Sequence, residues 1–247
     1  MNRMKSPTLL LAAVCLSIMP IDLGAREGQA RTRLVFDQAH GEQPPPSQLE
    51  PIAKKLGLEL QTSAAPITAA VLNGARLLYL RAPSGEFTES ESAAIVAFVK
   101  GGGSLLLVLD EERRQSLEKT RVNSFITPFG IKLTPDTEYL HNAGAVAKAG
   151  EINKADRQVP FSGGRAVEGG TPFAYQLDKD GKPSHPFGAY ARVGTGGRVI
   201  VLGEGMASLF LGDPNAVRLS GDIKNITPYW GPDSAIFMEE VLTWLSR

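Results

Sequence analysis

Leu77 to Leu109 reads LLYLRAPSGEFTESESAAIVAFVKGGGSLLLVL, and this stretch decides the fold. Leu77 to Leu80 is too uniformly apolar for a strand with a solvent-facing side, so both of its faces need cover. Thr88, followed three residues later by Glu91, is a capping box that opens a helix. Ala93, Ala94, Val96, Ala97, Phe98 and Val99 make the body of that helix, and Gly101-Gly102-Gly103 ends it. Ser104 to Leu109 then returns as a second apolar strand.

The same alternation extends to both sides. Upstream, Leu34-Val35-Phe36 is a short apolar run, and Ser47 with Glu50 spells a capping box for a helix carrying Leu49, Ile52, Ala53 and Leu56 on one face. Gly57 closes that helix, Leu58 to Gln61 reads as a strand, and Ile67 to Leu72 as a short helix. Downstream, Asn123 to Phe129 is a short helix stopped by Gly130, and Ile131 to Leu133 is a strand. Tyr190 to Val193 and Arg198 to Leu202 read as two strands joined by a glycine turn. A last helix starts near Asp233 and is expected to bury Ile236, Phe237, Val241, Leu242 and Leu245. Alternating strands and helices at this spacing predict an α/β fold, a mostly parallel sheet with helices on both faces. Between Thr134 and Gly188 glycine, proline and charge interrupt every apolar run. That segment is expected to be an irregular insertion with room for a short hairpin; the alternative is a disordered linker, against which Phe161, Phe173 and Tyr175 argue for packing onto the domain.

The first 30 residues read as an export signal. Arg3 and Lys5 form a basic start, Thr8 to Ile18 an apolar stretch, and Gly28-Gln29-Ala30 a small-x-small cleavage site. Cleavage before Arg31, retention as an anchor, and lipidation at Cys15 are the three fates open to it. Export places the remaining single domain, residues 31–247, in a periplasmic or secreted setting. Cys15 is the only cysteine in the chain, so the domain itself has no thiol. Past residue 30 the chain carries 23 basic and 24 acidic residues, a balance without attraction for a phosphate backbone, which excludes nucleic acid as a natural partner.

Four strings, in this order, carry a family likeness: Phe87-Thr88 with Glu91, Gly102-Gly103-Ser104 running into the apolar strand, Val122-Asn123-Ser124-Phe125 leading to Phe129-Gly130-Ile131, and Gly197-Arg198-Val199-Ile200-Val201-Leu202-Gly203. The chain resembles the class I glutamine-amidotransferase-like domain of bacterial auxiliary ABC-transport and gliding-type proteins and of the fifty-two-kilodalton intraflagellar transport subunit. The likeness runs from Leu34 to Leu245 and is weakest between Thr134 and Gly188. It implies a three-layer, flavodoxin-like fold with a C-terminal β-hairpin, in a noncatalytic branch. Enzymes of that fold place a cysteine on a sharp strand-to-helix turn, and no residue of the mature chain matches it. No Gly-x-Ser-x-Gly elbow replaces it.

In an open α/β sheet, ligands meet the carboxyl ends of the strands. The residues following the strands are polar: Asp37, His40 and Glu42 after the first, Ser84 and Glu86 after the third, Asp110, Glu111 and Glu112 after the fourth, Glu204 after the last. They are expected to converge on one rim. Two accounts stand side by side, a ligand rim for a sugar or hard cation and ordinary polar turn residues. Spacing alone gives no metal-ligand signature, and no cofactor is expected. His141 and His185 fall in the insertion, where a surface role is the default. Asn225-Ile226-Thr227 fits a glycosylation acceptor, and Tyr229-Trp230 a loop anchor.

Together these readings predict a noncatalytic extracytoplasmic domain that binds a small ligand or an envelope protein. The competing reading is a carboxylate- or metal-assisted hydrolase acting on a sugar, with His40 or Glu204 as general base. That second reading requires Asp37, His40, Asp110 and Glu204 within a few ångströms of one point, inside a cleft.

Overall fold

The computed structural model describes residues 31–42, 44–136, 144–159, 164–204 and 233–247. The segment read as an export signal, with Cys15, and His141, Phe161, Asn225, Tyr229 and Trp230, lie outside the described residues.

Five strands form the parallel half of the main sheet. They are β1 (Arg33–Asp37), β2 (Glu59–Ser63), β3 (Ala75–Arg81), β4 (Ser104–Val108) and β11 (Gly197–Leu202). Their order is β2-β1-β3-β4-β11, each parallel to its neighbour. Between them run α1 (Leu49–Lys55), α2 (Ala69–Leu72) and α3 (Glu89–Lys100). After β4 come α4 (Leu117–Thr120), α5 (Asn123–Ile126) and one 3-10 turn at Thr127–Phe129. The last helix, α6, spans Ser234–Ser246.

Strand periodicity sorts the core into two layers. Leu34, Phe36, Leu77, Tyr79, Leu106, Val108, Ile200 and Leu202 face α1 and α6. Val35, Leu78, Leu80, Leu105, Leu107, Val199 and Val201 face α3 and α5 on the other side. Successive strand residues point to opposite faces, so an apolar residue at every position is what a doubly covered sheet requires. Each such fully buried side chain contributes about 1.5–3 kcal/mol.

The capping box of α3 forms as read: Glu91 N donates to Thr88 Oγ1, and Thr88 N donates to the Glu91 carboxylate. Its far end turns at Gly101-Gly102-Gly103, where a Cβ on Gly103 would fall 2.3 Å from the Phe98 ring. A side chain there would have to displace that ring, so glycine lets Phe98 fold over the start of β4.

Three expectations fail. The Ser47–Glu50 capping box does not form: α1 begins at Leu49, with Gln48 at its N-cap making no side-chain bond. The turn closed by Leu49 N on Pro46 O takes up Ser47 and pushes the helix start past it. Ile236 is 47% exposed instead of buried. The buried arc of α6 is Phe237, Met238, Val241, Leu242, Trp244 and Leu245, and Ile236 lies to one side of it.

The third failure is the irregular insertion, which is largely strand. β5 (Ile131–Asp136) pairs antiparallel with β8 (Arg165–Gly169) in a small second sheet. β6 (Ala145–Ala147), β7 (Arg157–Val159), β9 (Thr171–Leu177) and β10 (Pro183–Val193) continue the main sheet beyond β11 in the order β10-β9-β6-β7, all antiparallel. The result is a mixed nine-stranded sheet. Proline hid these strands: Pro135, Pro172, Pro183 and Pro186 sit inside them, and register shifts mark β5 beside Pro135 and β10 at Pro183 and Pro186. A proline cannot donate to a ladder, and a bulge is where a sheet tolerates it.

Candidate functional site

The chain leaving β1 turns back on itself, and Asp37, His40 and Glu42 are all buried in that turn. Asp37 Oδ2 lies 2.6 Å from His40 Nδ1. On the opposite edge of the ring, His40 Nε2 lies 3.1 Å from Glu91 Oε1. Each ring nitrogen thus faces a carboxylate oxygen, and neither edge of the imidazole is left open. Its face stacks on Phe87, centroids 3.8 Å apart and 16° between planes.

Glu91 is thus both a helix cap and a site residue. Its Oε1 also accepts from Ile67 N at 3.0 Å, and its Oε2 from Thr88 N at 3.0 Å and Thr88 Oγ1 at 2.7 Å. Burial pushes its pKa up, but the bonds from Thr88 and Ile67 and the His40 charge outweigh burial and hold it below the usual range. Ser84 joins the group through its backbone: Ser84 N and Gly85 N both donate to His40 O, at 2.8 and 2.7 Å.

Glu42 shows the opposite balance. Burial first, then the hydrogen bond and charge of Asp37, push its carboxyl up to about 9, against the lowering pull of backbone N–H groups including that of His40. The His40 N–H donates to Glu42 Oε2 at 3.0 Å. Near neutral pH Glu42 is therefore an acid that gives its proton toward Asp37. Asp37, His40, Glu91 and Thr88 thus follow one another in contact, with Glu42 beside Asp37.

Asp110 and Glu111 belong to a second group. β1 and β4 are separated by β3, which sets the two groups on the order of 10 Å apart. The organiser of the second group is Arg165 at the start of β8, fully buried. Its Nε donates to Asp110 O at 2.7 Å, its Nη1 to Glu112 Oε2 at 2.9 Å and its Nη2 to Gln115 O at 2.6 Å. Asp110 N donates to Gln115 Oε1 at 3.0 Å, and Glu111 N to Asp110 Oδ1 at 2.8 Å. Burial raises the Asp110 pKa, with the Glu111 N–H and Arg114 pulling the other way. Glu111 Oε1 meets Arg113 at 2.5 Å and Arg114 at 2.9 Å.

Glu204 is fully buried at the end of β11. The chain entering β8 crosses directly above it: Arg165 N donates to Gly203 O at 2.8 Å. A Cβ on Gly164 would stand 2.2 Å from that same oxygen, so glycine is required for the crossing. The rim expected as one site is two buried groups, with Glu204 under the crossing strand, and the shared cleft that a hydrolase needs is not formed by these residues.

Asp37, His40 and Glu42 each offer a ligand atom within 4.8 Å of the others, close enough for one metal ion. Against that fit, both His40 nitrogens already face carboxylates, so a metal would have to displace a hydrogen bond to use the ring. Away from the rim, a cavity of about 470 Å³ opens between the loop at Gly150–Lys154 and α6, lined by Asn153, Arg157, Ile236 and Glu240 among others. Glu91 and Arg165 are the residues the sequence reading missed. Glu91 was visible only as a cap. Arg165 had one signal: in Arg165-Ala166-Val167, strand alternation puts it on the same face as Val167, hence inward.

The fold and these two groups define a mixed α/β domain whose strand-end carboxylates serve its own packing. The sequence model of the IFT52 GIFT domain matches residues 33–214, and the chain belongs to that family. Among solved structures it is similar to the mmIFT52 N-terminal domain, with a TM-score of 0.65 and 17% identity over 87% of this chain and 97% of that one. It is also similar to the cytoplasmic protein STM3548 from Salmonella typhimurium, with a TM-score of 0.55 and 11% identity over 85% and 97% of the two chains. At these identities the likeness is one of fold. No curated protein matches the chain.

Proposed function

We propose that this chain is a noncatalytic binding or scaffold domain, of flavodoxin-like and amidotransferase-like build, that works outside the cytoplasm as part of a transport or assembly complex. The observation that carries this reading is the saturation of His40. Its two nitrogens bond to Asp37 and Glu91, and its ring is stacked and buried, so no free base is presented to a substrate. The sharpest strand end supports it too. Ala82, directly after β3, has φ of +53°, a left-handed conformation rare for a side-chain-bearing residue, and it carries only a methyl group there. Family membership favours a protein partner over a small substrate. The apolar run Thr8 to Ile18 and the small residues before Arg31 support export.

The test is turnover by the purified domain on a panel of esters, amides and glycosides. No turnover is expected; robust turnover that disappears in Asp110→Ala and in His40→Gln would remove the reading. Export is tested separately by fusing residues 1–30 to a reporter active only outside the cytoplasm. A silent reporter would return the domain to the cytoplasm.

A further inference from the structure

Parallel strands collect their amino ends at one pole, and that pole is basic. β1, β3, β4 and β11 all begin there, and α3 and α6 end there. The guanidiniums form a connected row. Arg31 Nη2 donates to Gly101 O at 2.6 Å, and Arg76 Nη1 donates to the next carbonyl, Gly102 O, at 3.2 Å. Arg76 Nε reaches Ser246 O at 3.1 Å, and Arg198 Nη1 bonds to the main-chain oxygen of Arg247, the last residue. The Arg198 guanidinium lies over Trp244, 5.7 Å from the ring centre, and Arg192 lies over the same ring at 5.6 Å.

Among the described residues none of Arg31, Arg76 and Arg198 pairs with an Asp or Glu side chain. The arginines that do are elsewhere, apart from Arg192, which pairs with Glu151 at the edge of the row. Burial, then the charges of Arg198 and Arg31, lower the Arg76 pKa, an independent sign that these cations crowd one another. The helix ends they cap offset part of this charge. Two helix termini carry roughly one negative charge between them, against these arginines and Lys100. Glu59, opposite Arg33 in the β1–β2 register, sits at the far edge of the pole. Among the described residues this leaves a positive excess.

We propose that this pole is a docking surface for a carboxylate-rich peptide segment of a partner protein, held by Arg31, Arg76 and Arg198. The inference rests on the binding-domain reading above. Arginine presents a planar fork that matches a carboxylate, and carbonyl bonds hold these forks at set positions. Arg76 and Arg198 begin strands on either side of β4, about 10 Å apart at ordinary strand spacing, the span of about three residues of an extended peptide. A bilayer-binding patch would add exposed apolar side chains to insert. The exposed large apolar residue of the described chain, Ile236, lies instead at the other end of α6.

The probe is a fluorescently labelled octaglutamate peptide, titrated with the purified chain at low salt and followed by anisotropy. Saturable binding is expected, weakened about tenfold by Arg31→Gln and again by Arg198→Gln, the loss expected from one charge-assisted contact each. Salt should weaken it further. Lys179→Gln, which removes the same charge from the exposed turn at the opposite pole, should leave binding unchanged. Arg31 is exposed and makes one carbonyl bond, so its variant decides the matter even if Arg198→Gln melts early. Absence of saturable binding, or equal binding by Arg31→Gln, overturns the proposal. Tighter binding to phosphatidylglycerol–phosphatidylcholine vesicles than to the peptide overturns it in favour of a membrane. Each of these results, with no turnover on the substrate panel, leaves the noncatalytic reading standing; turnover would remove that reading whatever the peptide does.

Discussion

Glu42→Gln should stabilise the protein, and increasingly so as the pH rises. The unfolded chain releases the Glu42 proton near 4.5, whereas the folded chain holds it to about 9. Between those values folding has to take up a proton, and each pH unit costs about 1.4 kcal/mol. The stability associated with the protonated acid is thus complete below 4.5 and is lost as the pH climbs toward 9. At pH 7 the loss is on the order of 3 kcal/mol. Glutamine keeps the shape, accepts the His40 N–H with its oxygen and donates to Asp37 with its nitrogen, while having no proton to lose. Urea titrations of both proteins at pH 5, 7 and 8.5 read the effect directly. The two should nearly coincide at pH 5 and separate by about 3 kcal/mol at pH 7, or about 6–12 °C in Tm for a domain of this size. A variant no more stable than the parent at pH 8.5 would refute the reasoning, because it would mean that Glu42 is ionised in the folded chain.

Three further outcomes are expected. Arg165→Met, which removes the guanidinium holding Asp110 O, Glu112 and Gln115 O, should cost about 3–5 kcal/mol in urea unfolding, since it leaves two carbonyls without their donor. Glu240→Ala strands Asn153 Nδ2 and the bidentate Arg157 and should cost about 2 kcal/mol at pH 7. Bonds from Arg157, Asn153 and Lys154 outweigh burial and depress the Glu240 pKa, so its contribution is present above 4.5 and fades as the pH falls through the folded value; parent and variant should converge in acid melts. Thr88→Ala, which opens the capping box, should cost about 1 kcal/mol, or about 2–4 °C in Tm, with a null result excluding the box as a support for Glu91.

What was legible in the sequence follows how local each signal is. The run from Leu77 to Leu109 could be read because uniform apolarity, a capping box and a triple glycine each act within one element. The antiparallel half was not, because Pro172, Pro183 and Pro186 argue locally against strand and only pairing with neighbours distant in sequence overrides them. The same division holds at the rim. Asp37, His40 and Glu42 were found because a polar turn after a strand is visible in sequence, and they do come together. Their separation from Asp110 was not visible, since it depends on β3 lying between β1 and β4. Nor could the sequence show that Glu91, placed as a helix cap, also faces an imidazole from another loop.

The two halves of the sheet explain each other at this point. An open parallel sheet leaves its carboxyl ends as a crevice, the place where ligands bind in such folds. Here the chain itself takes that position. The segment from Gly164 to Arg165 passes over Gly203 and Glu204, and the Arg165 side chain runs on to gather the loop after β4. A guanidinium with three acceptors there makes the contacts that a cationic ligand would make. The stretch where sequence regularity fails is therefore the stretch that closes the rim. With β8 crossing that end, the proposed peptide is assigned to the opposite pole. There, among the described residues, Arg31 and Arg76 meet backbone oxygens and no Asp or Glu side chain, whereas Arg165 at the other end has Glu112.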